Sequence, residues 1–286
     1  MNKMKNIFSP YFFWNGCGIM TKKPRGIGMN QTTKLKTTLA YVTALFAACG
    51  FLLRSYQLKW ELNYDGSLTE GAFVHRVLPL ICVCFLAGTG FLLYRSFSKL
   101  SKHEECFSPS LPVTVLQMAA GGLLFCGNLH LQTVGHPPLP DYVVVSELML
   151  KIEPYAGMLA GILLALHGLA SLRKTPPTPL LYMFISLYLA LRLLICFQQW
   201  NTDPSIHHYG YQLLAVICSM LGSFRLAGFG FDKGHRRMSL FFAISAVLFC
   251  SITVADTLDN LNECLVNGAF LLSMGTSAAC LLFAKD

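Results

Sequence analysis

Charge is what this sequence has least of. Only 13% of its 286 residues are Asp, Glu, Lys or Arg, about half the share of a soluble globular domain. No gap between apolar segments approaches the roughly 50 residues of the smallest independent domain, so a separate soluble domain is excluded. Motifs of chemistry are missing as well. There is no His-Glu-x-x-His, no Gly-x-Ser-x-Gly, no Walker loop and no Gly-x-Gly-x-x-Gly before a helix, which removes the familiar routes to metalloprotease, esterase and nucleotide-binding function. Cys-x-x-Cys is also absent although the chain holds 11 cysteines, so neither a thiolate metal site nor a redox pair is indicated. Cys49, Cys82, Cys84, Cys126, Cys196, Cys218, Cys250 and Cys280 fall inside apolar stretches and are expected to be buried small hydrophobes.

What the chain has instead is long apolar runs. Hydrophobic residues make up 54%, and spanning a hydrocarbon core of about 30 Å takes roughly 20 of them in a helix. Eight such segments are read at 36–53, 73–94, 112–133, 154–172, 178–200, 209–231, 239–258 and 263–283. The expected fold is therefore an all-α, polytopic integral membrane bundle of about eight transmembrane helices.

The cations of the connecting segments alternate. One set holds Lys34, Lys36, Arg95, Lys99, Lys102, Arg173, Lys174, Lys233, Arg236, Arg237 and Lys285, whereas the other holds Arg54, Lys59 and Lys151, with Arg76 at a boundary. Cationic loops resist translocation, so both termini are expected in the cytoplasm of a cell whose plasma membrane the chain spans several times. Anionic headgroups accept the net charge of +8, so membrane lipid is the expected partner and nucleic acid is not. Residues 1–35 are read as a cytoplasmic N-terminal segment, with Met29 as an alternative start, and 36–286 as a single membrane domain.

Ordered echoes between the two halves suggest a repeat. Cys84-x-x-x-Gly88 recurs as Cys218-x-x-x-Gly222, Phe97-x-Lys99 as Phe231-x-Lys233, and Leu124-Phe125-Cys126 as Leu248-Phe249-Cys250. A duplication of four helices would give parallel repeats, a 4+4 arrangement about an axis along the membrane normal.

Two helical faces stand out by residue type. Gly157, Gly161, Ala165 and Gly168 lie within about 80° of one another on the fourth span, a small-residue seam that allows close backbone approach. On the third span Gln117, Gly121, Asn128 and Gln132 share one stripe, which must face other helices or a cavity because lipid offers amides no partner.

Charges within spans mark candidate function, since each costs about 2.5–3.5 kcal/mol at mid-helix on insertion scales. Arg192 shares a face with Tyr188 and Gln199, and Asp256, near the end of the seventh span, is its expected partner. Arg225 shares a face with Cys218 and Gly222 and is expected to extend toward headgroups. Histidines offer no haem pair: His75 sits at a span edge, His130 turns away from the stripe of its helix and His167 has no partner at its depth. His207 and His208 read as solvated loop residues. No cofactor, metal or catalytic residue is therefore expected.

Two functional classes follow. Gln117, Asn128, Gln132, Tyr188, Arg192, Arg225 and Asp256 could line the pocket or path of a small-molecule transporter of permease type. The alternative is a non-catalytic accessory or sensor subunit whose glycine seam docks a partner membrane subunit or a second copy of the chain. A membrane electron carrier or enzyme is the third reading.

Overall fold

The computed structural model describes residues 29–62, 69, 71–97, 107, 111–136, 145–172, 179–200, 206–231 and 234–284. The expectations about residues 1–28, and about the loops holding Lys99, Lys102, Arg173, Lys174, Asp203 and Lys233, lie outside them. The described residues form eight helices: α1 (Met29–Trp60), α2 (Val74–Ser96), α3 (Leu111–Val134), α4 (Glu147–Leu172), α5 (Pro179–Trp200), α6 (Ile206–Ala227), α7 (Arg236–Asp256) and α8 (Leu261–Phe283). A 3₁₀ turn at Gly228–Phe231 closes α6. All eight are long and apolar enough to cross a membrane.

Two helices begin or end well beyond their expected limits. The first runs on past 53 to Trp60, and the fourth starts at Glu147 with Pro154 inside it. Hydropathy stopped both spans at their first charge, but a backbone in lipid continues its own hydrogen bonding wherever side chains find partners. The extra turns carry Arg54 and Glu153.

Packing organises the eight helices into a ring and a flank. Going round, α7 meets α6, α6 meets α5, then α4, α3, α8 and α7 again. Outside this ring α1 lies on α7 and α8, and α2 on α1 and α7. Burial follows: 72% of the apolar window of α7 is buried but only 22% of that of α1. The remaining surface is apolar, with Tyr41, Leu45 and Leu52 on α1 and Leu80, Val83 and Phe91 on α2 exposed. Such a surface suits hydrocarbon rather than water. Exchanging the two halves would turn the α1 on α7 contact into α5 on α3, a pair without extensive packing.

Lipid-facing positions are as apolar as core ones, which corrects the expectation for the thiols. Cys82, Cys196, Cys218 and Cys250 are buried, but Cys49, Cys84 and Cys126 are exposed on outer helix faces and Cys280 is half-buried. A weakly polar thiol is tolerated on either side.

The small-residue seam of α4 is occupied by α3. A Cβ on Gly161 would stand 2.7 Å from the Phe125 nitrogen and 2.8 Å from the Gly121 oxygen, and one on Gly121 would stand 2.6 Å from the Gly161 oxygen and the Ala165 nitrogen. A Cβ on Gly157 would strike the Asn128 amide, and one on Gly168 would reach 3.1 Å from the Gln117 Cβ and the Met118 nitrogen. All four seam positions therefore hold two backbones of one chain together, and this face is not free to dock a partner helix.

The two ends of the bundle are finished differently. At one, Lys36 Nζ donates to the Ala284 carbonyl (2.9 Å), Arg236 Nε to Leu281 (2.9 Å), and Arg237 Nε to Phe97. These cations satisfy the last carbonyls of α8 and α2 and complement their dipoles. At the other end Glu61 caps α2: Oε1 accepts from the Phe73 and Val74 N–H groups (2.8 and 2.7 Å) and Oε2 from His75 (2.9 Å). These are called the basic end and the carboxylate end below.

Burial alone would raise the Glu61 pKa, but the three backbone donors and the neighbouring His75 hold it below the ordinary carboxylate value. A lowered folded pKa adds stability that is fully present above about pH 4.3, the unfolded value, and fades as pH falls through the folded one. Glu61→Ala is accordingly expected to cost about 1 kcal/mol at neutral pH. The protection factors of the Phe73, Val74 and His75 amides against hydrogen exchange should fall in the variant, and in the native chain as pH drops through the folded pKa.

Candidate functional site

The carboxylate end of the ring contains a buried ionic cluster. Arg192, 2% exposed on α5, donates from Nη1 to Glu153 Oε1 of α4 at 3.3 Å and from Nη2 to Glu263 Oε2 of α8. Gln212 of α6 donates to the same Glu263 oxygen at 3.0 Å. Beyond the end of α3, His136 Nε2 lies 3.1 Å from the Leu150 carbonyl and 3.9 Å from Glu153 Oε2. Five helices or their ends thus converge on one guanidinium.

Helix rise explains the convergence. Glu153 falls in the second turn of α4 and Glu263 in the first turn of α8, while Arg192 sits two turns before the end of the oppositely directed α5. At 1.5 Å per residue these depths match within the reach of an arginine stem.

The expected partnership of Arg192 with Asp256 is not the one found. Asp256 Oδ1 accepts from Arg54 Nε at 2.6 Å instead. Arg54 also donates to Gln57 Oε1 at 2.9 Å and lies 5.2 Å from the centre of the Tyr211 ring. The pairing changes because α1 continues two turns further than hydropathy suggests and brings a second arginine to this depth.

Above the cluster lies a partly open chamber of about 250 Å³. Its wall includes the carboxylate residues Glu153, Asp256 and Glu263, and the amides of Gln199, Gln212, Asn260 and Asn262. Leu131, Ile195 and Cys196 supply apolar surface. Neither Arg192 nor Arg54 belongs to the wall; both stand behind the carboxylates they hold.

A second polar layer lies deeper. Tyr188 donates its OH to Asn128 Oδ1 at 3.2 Å, and Asn128 returns its NH₂ to the Leu124 carbonyl. Further along, Gln117 Nε2 donates to Thr276 Oγ1 at 2.6 Å and to the Ser273 carbonyl at 3.2 Å, tying α3 to α8. Nearer the basic end the Tyr182 hydroxyl and His167 Nε2 pair at 2.6 Å. His167 is thus held by a tyrosine rather than a second imidazole, in a link from α4 to α5. Between these polar steps Ile185, Leu189 and Phe270 are buried in the apolar core.

The residues singled out from sequence divide three ways. Asp256 and Gln199 line the chamber, with Arg192 behind its carboxylates; Tyr188, Asn128 and Gln117 lie below it in the ring. Gln132 is exposed at the rim, donating to the Tyr155 hydroxyl at 3.0 Å. Arg225 is half-buried in the last turn of α6, about 20 Å along the helix from Gln212. It does not join the site.

Glu153, Glu263, Arg54, Gln212 and His136 escaped the sequence reading. Their signal was periodic rather than compositional: Glu153 continues the α4 seam one turn before Gly157, and Glu263 precedes the buried Asn267 by one turn. Comparison of the chain with family models, curated proteins and solved structures returns no match. The site therefore has to be read from its own chemistry.

Proposed function

We propose that the chain is a small-molecule transporter of permease type in the cell membrane, with the chamber as its binding site. The observation that carries this reading is a polar chamber within a closed ring of membrane-length helices, walled by carboxylates held on a buried arginine. Ionisable groups at this depth are expensive, and burying Arg192 with two carboxylates is a poor way to gain stability alone. Deeper hydroxyls and amides, with the buried Ile185, Leu189 and Phe270 between them, offer steps beyond the chamber.

On this reading both termini are cytoplasmic and the carboxylate end faces outward, in keeping with the basic segments at the other end. Reporter fusions should place the loop around Lys99 inside and the loop around Asp203 outside. The reverse would invert the direction of access.

Native mass spectrometry of the protein extracted gently from its own membrane tests the class. A monomer or homo-oligomer with no second polypeptide is expected. A stoichiometric partner subunit would instead make the chain an accessory component, and a haem or metal mass would make it an electron carrier or enzyme.

A further inference from the structure

We infer that the chamber takes a small organic monocation with N–H donors, a primary ammonium or guanidinium compound with a short apolar tail. The inference rests on the transport reading and names its substrate class.

The first argument is charge. Arg192 serves both Glu153 and Glu263, and Arg54 serves Asp256. Among the described residues three carboxylates thus meet two guanidiniums, and the excess carboxylate can take an entering cation in place of a proton. His136, 3.9 Å from Glu153, is the one other cationisable group near it among the described residues, and Tyr188 and Cys196 are the neutral titratable neighbours.

The second argument is which groups meet a ligand. The carboxylate residues form the wall and the guanidiniums stand behind it, so among the described residues no Lys or Arg lines the chamber. An anion entering it would meet the carboxylates of Glu153, Asp256 and Glu263, with His136 the one ionisable base in the wall among the described residues. The neutral wall residues suit a donor-rich guest, because Gln212 spends its NH₂ on Glu263 and keeps a carbonyl oxygen to accept.

Asn262 gives the third, independent argument. It lines the chamber, is 9% exposed and makes no side-chain hydrogen bond among the described residues. Facing the chamber without a protein partner, its amide is left for a ligand or water to complete. Glu263 lines the same chamber, so one head group can reach both.

Size selects an organic cation over a bare metal ion. A chamber of about 250 Å³ has room for about eight waters at roughly 30 Å³ each. An alkali ion would leave most of it unfilled, whereas a short alkyl tail can lie against Leu131 and Ile195.

The test uses the full chain in lipid nanodiscs and four probes with one tail: butylammonium, butylguanidinium, butylurea and butyrate. Calorimetry and thermal unfolding should show saturable binding of the two cations and at least tenfold weaker binding of the neutral and anionic analogues. Glu263→Gln should weaken the cations about tenfold, as expected for loss of a charge-assisted bond. Asn262→Leu, which breaks no hydrogen bond of the protein, should weaken them severalfold and decides the matter if the first variant does not fold. Binding of butyrate or butylurea as tight as that of the cations would overturn the cation assignment and leave the chamber as a binding site. Cation binding indifferent to both variants would also overturn it. Failure of all four probes to bind would overturn the transport reading together with it.

Discussion

Arg192→Leu is expected to destabilise the folded protein by about 3–5 kcal/mol, because it strands Glu153 and Glu263 without their shared cation. At 3.3 Å and an effective dielectric of about 20, the Glu153 contact alone represents roughly 5 kcal/mol of Coulomb attraction. Desolvation offsets much of that while the pair is intact, but the full penalty returns when one partner is deleted. Unfolding in detergent monitored by far-UV circular dichroism would measure the loss.

The companion variant separates stability from function. Replacing the cluster together, as Glu153→Gln, Arg192→Met and Glu263→Gln, removes every charge and leaves none unpaired, so stability should return to within about 1–2 kcal/mol of the native chain. Cation binding in the chamber should not return. If the triple variant stays as unstable as Arg192→Leu, the cluster is a structural necessity. If it is stable and still binds butylammonium, Glu153 and Glu263 are not the recognition element.

Gly161→Leu is expected to be among the most damaging single substitutions at a helix crossing. Even a Cβ there meets the Phe125 nitrogen at 2.7 Å and the Gly121 oxygen at 2.8 Å, and backbone cannot step aside as a flexible side chain would. Overpacking a fitted core costs about 1–3 kcal/mol and more where the neighbour is rigid. The variant should therefore lose the α3 and α4 pairing and fail to accumulate as a folded monomer, measured by size-exclusion chromatography in detergent. A well-folded Gly161→Leu monomer that has merely lost a bound partner would show that the seam docks another chain. Gly122→Leu, on the same helix pair but with nothing within 4 Å of its Cβ position, is the control and should be tolerated.

The two predictions differ in how far sequence could anticipate them. The seam of Gly157, Gly161, Ala165 and Gly168 is visible as a periodic set of small residues, because only small side chains let helices approach closely in lipid. Which helix fills the seam is not visible, since lipid gives no hydrophobic penalty to rank one apolar face against another. The ionic cluster shows the opposite weakness. Arg192 stands out inside an apolar run, but Glu153, Glu263 and Arg54 lie at span edges, where hydropathy reads them as loop residues. Glu153 and Arg54 are buried instead because their helices continue through the charge, and Glu263 is half-buried; each has a partner on another helix.

The sequence by itself determined the number of membrane-length helices, their approximate limits, the faces carrying small and polar residues, and the crowding of cations at alternate connections. These follow from solvent physics acting on one segment at a time, since the bilayer fixes length and backbone satisfaction fixes helicity. Tertiary structure alone decided the closed ring of six helices with α1 and α2 outside it, and the pairing of Asp256 with Arg54 instead of Arg192. It also decided that three carboxylates wall a chamber while the arginines stand behind them. Those outcomes depend on which helix lies beside which and at what depth each charge arrives, and a linear pattern of apolar residues carries neither coordinate.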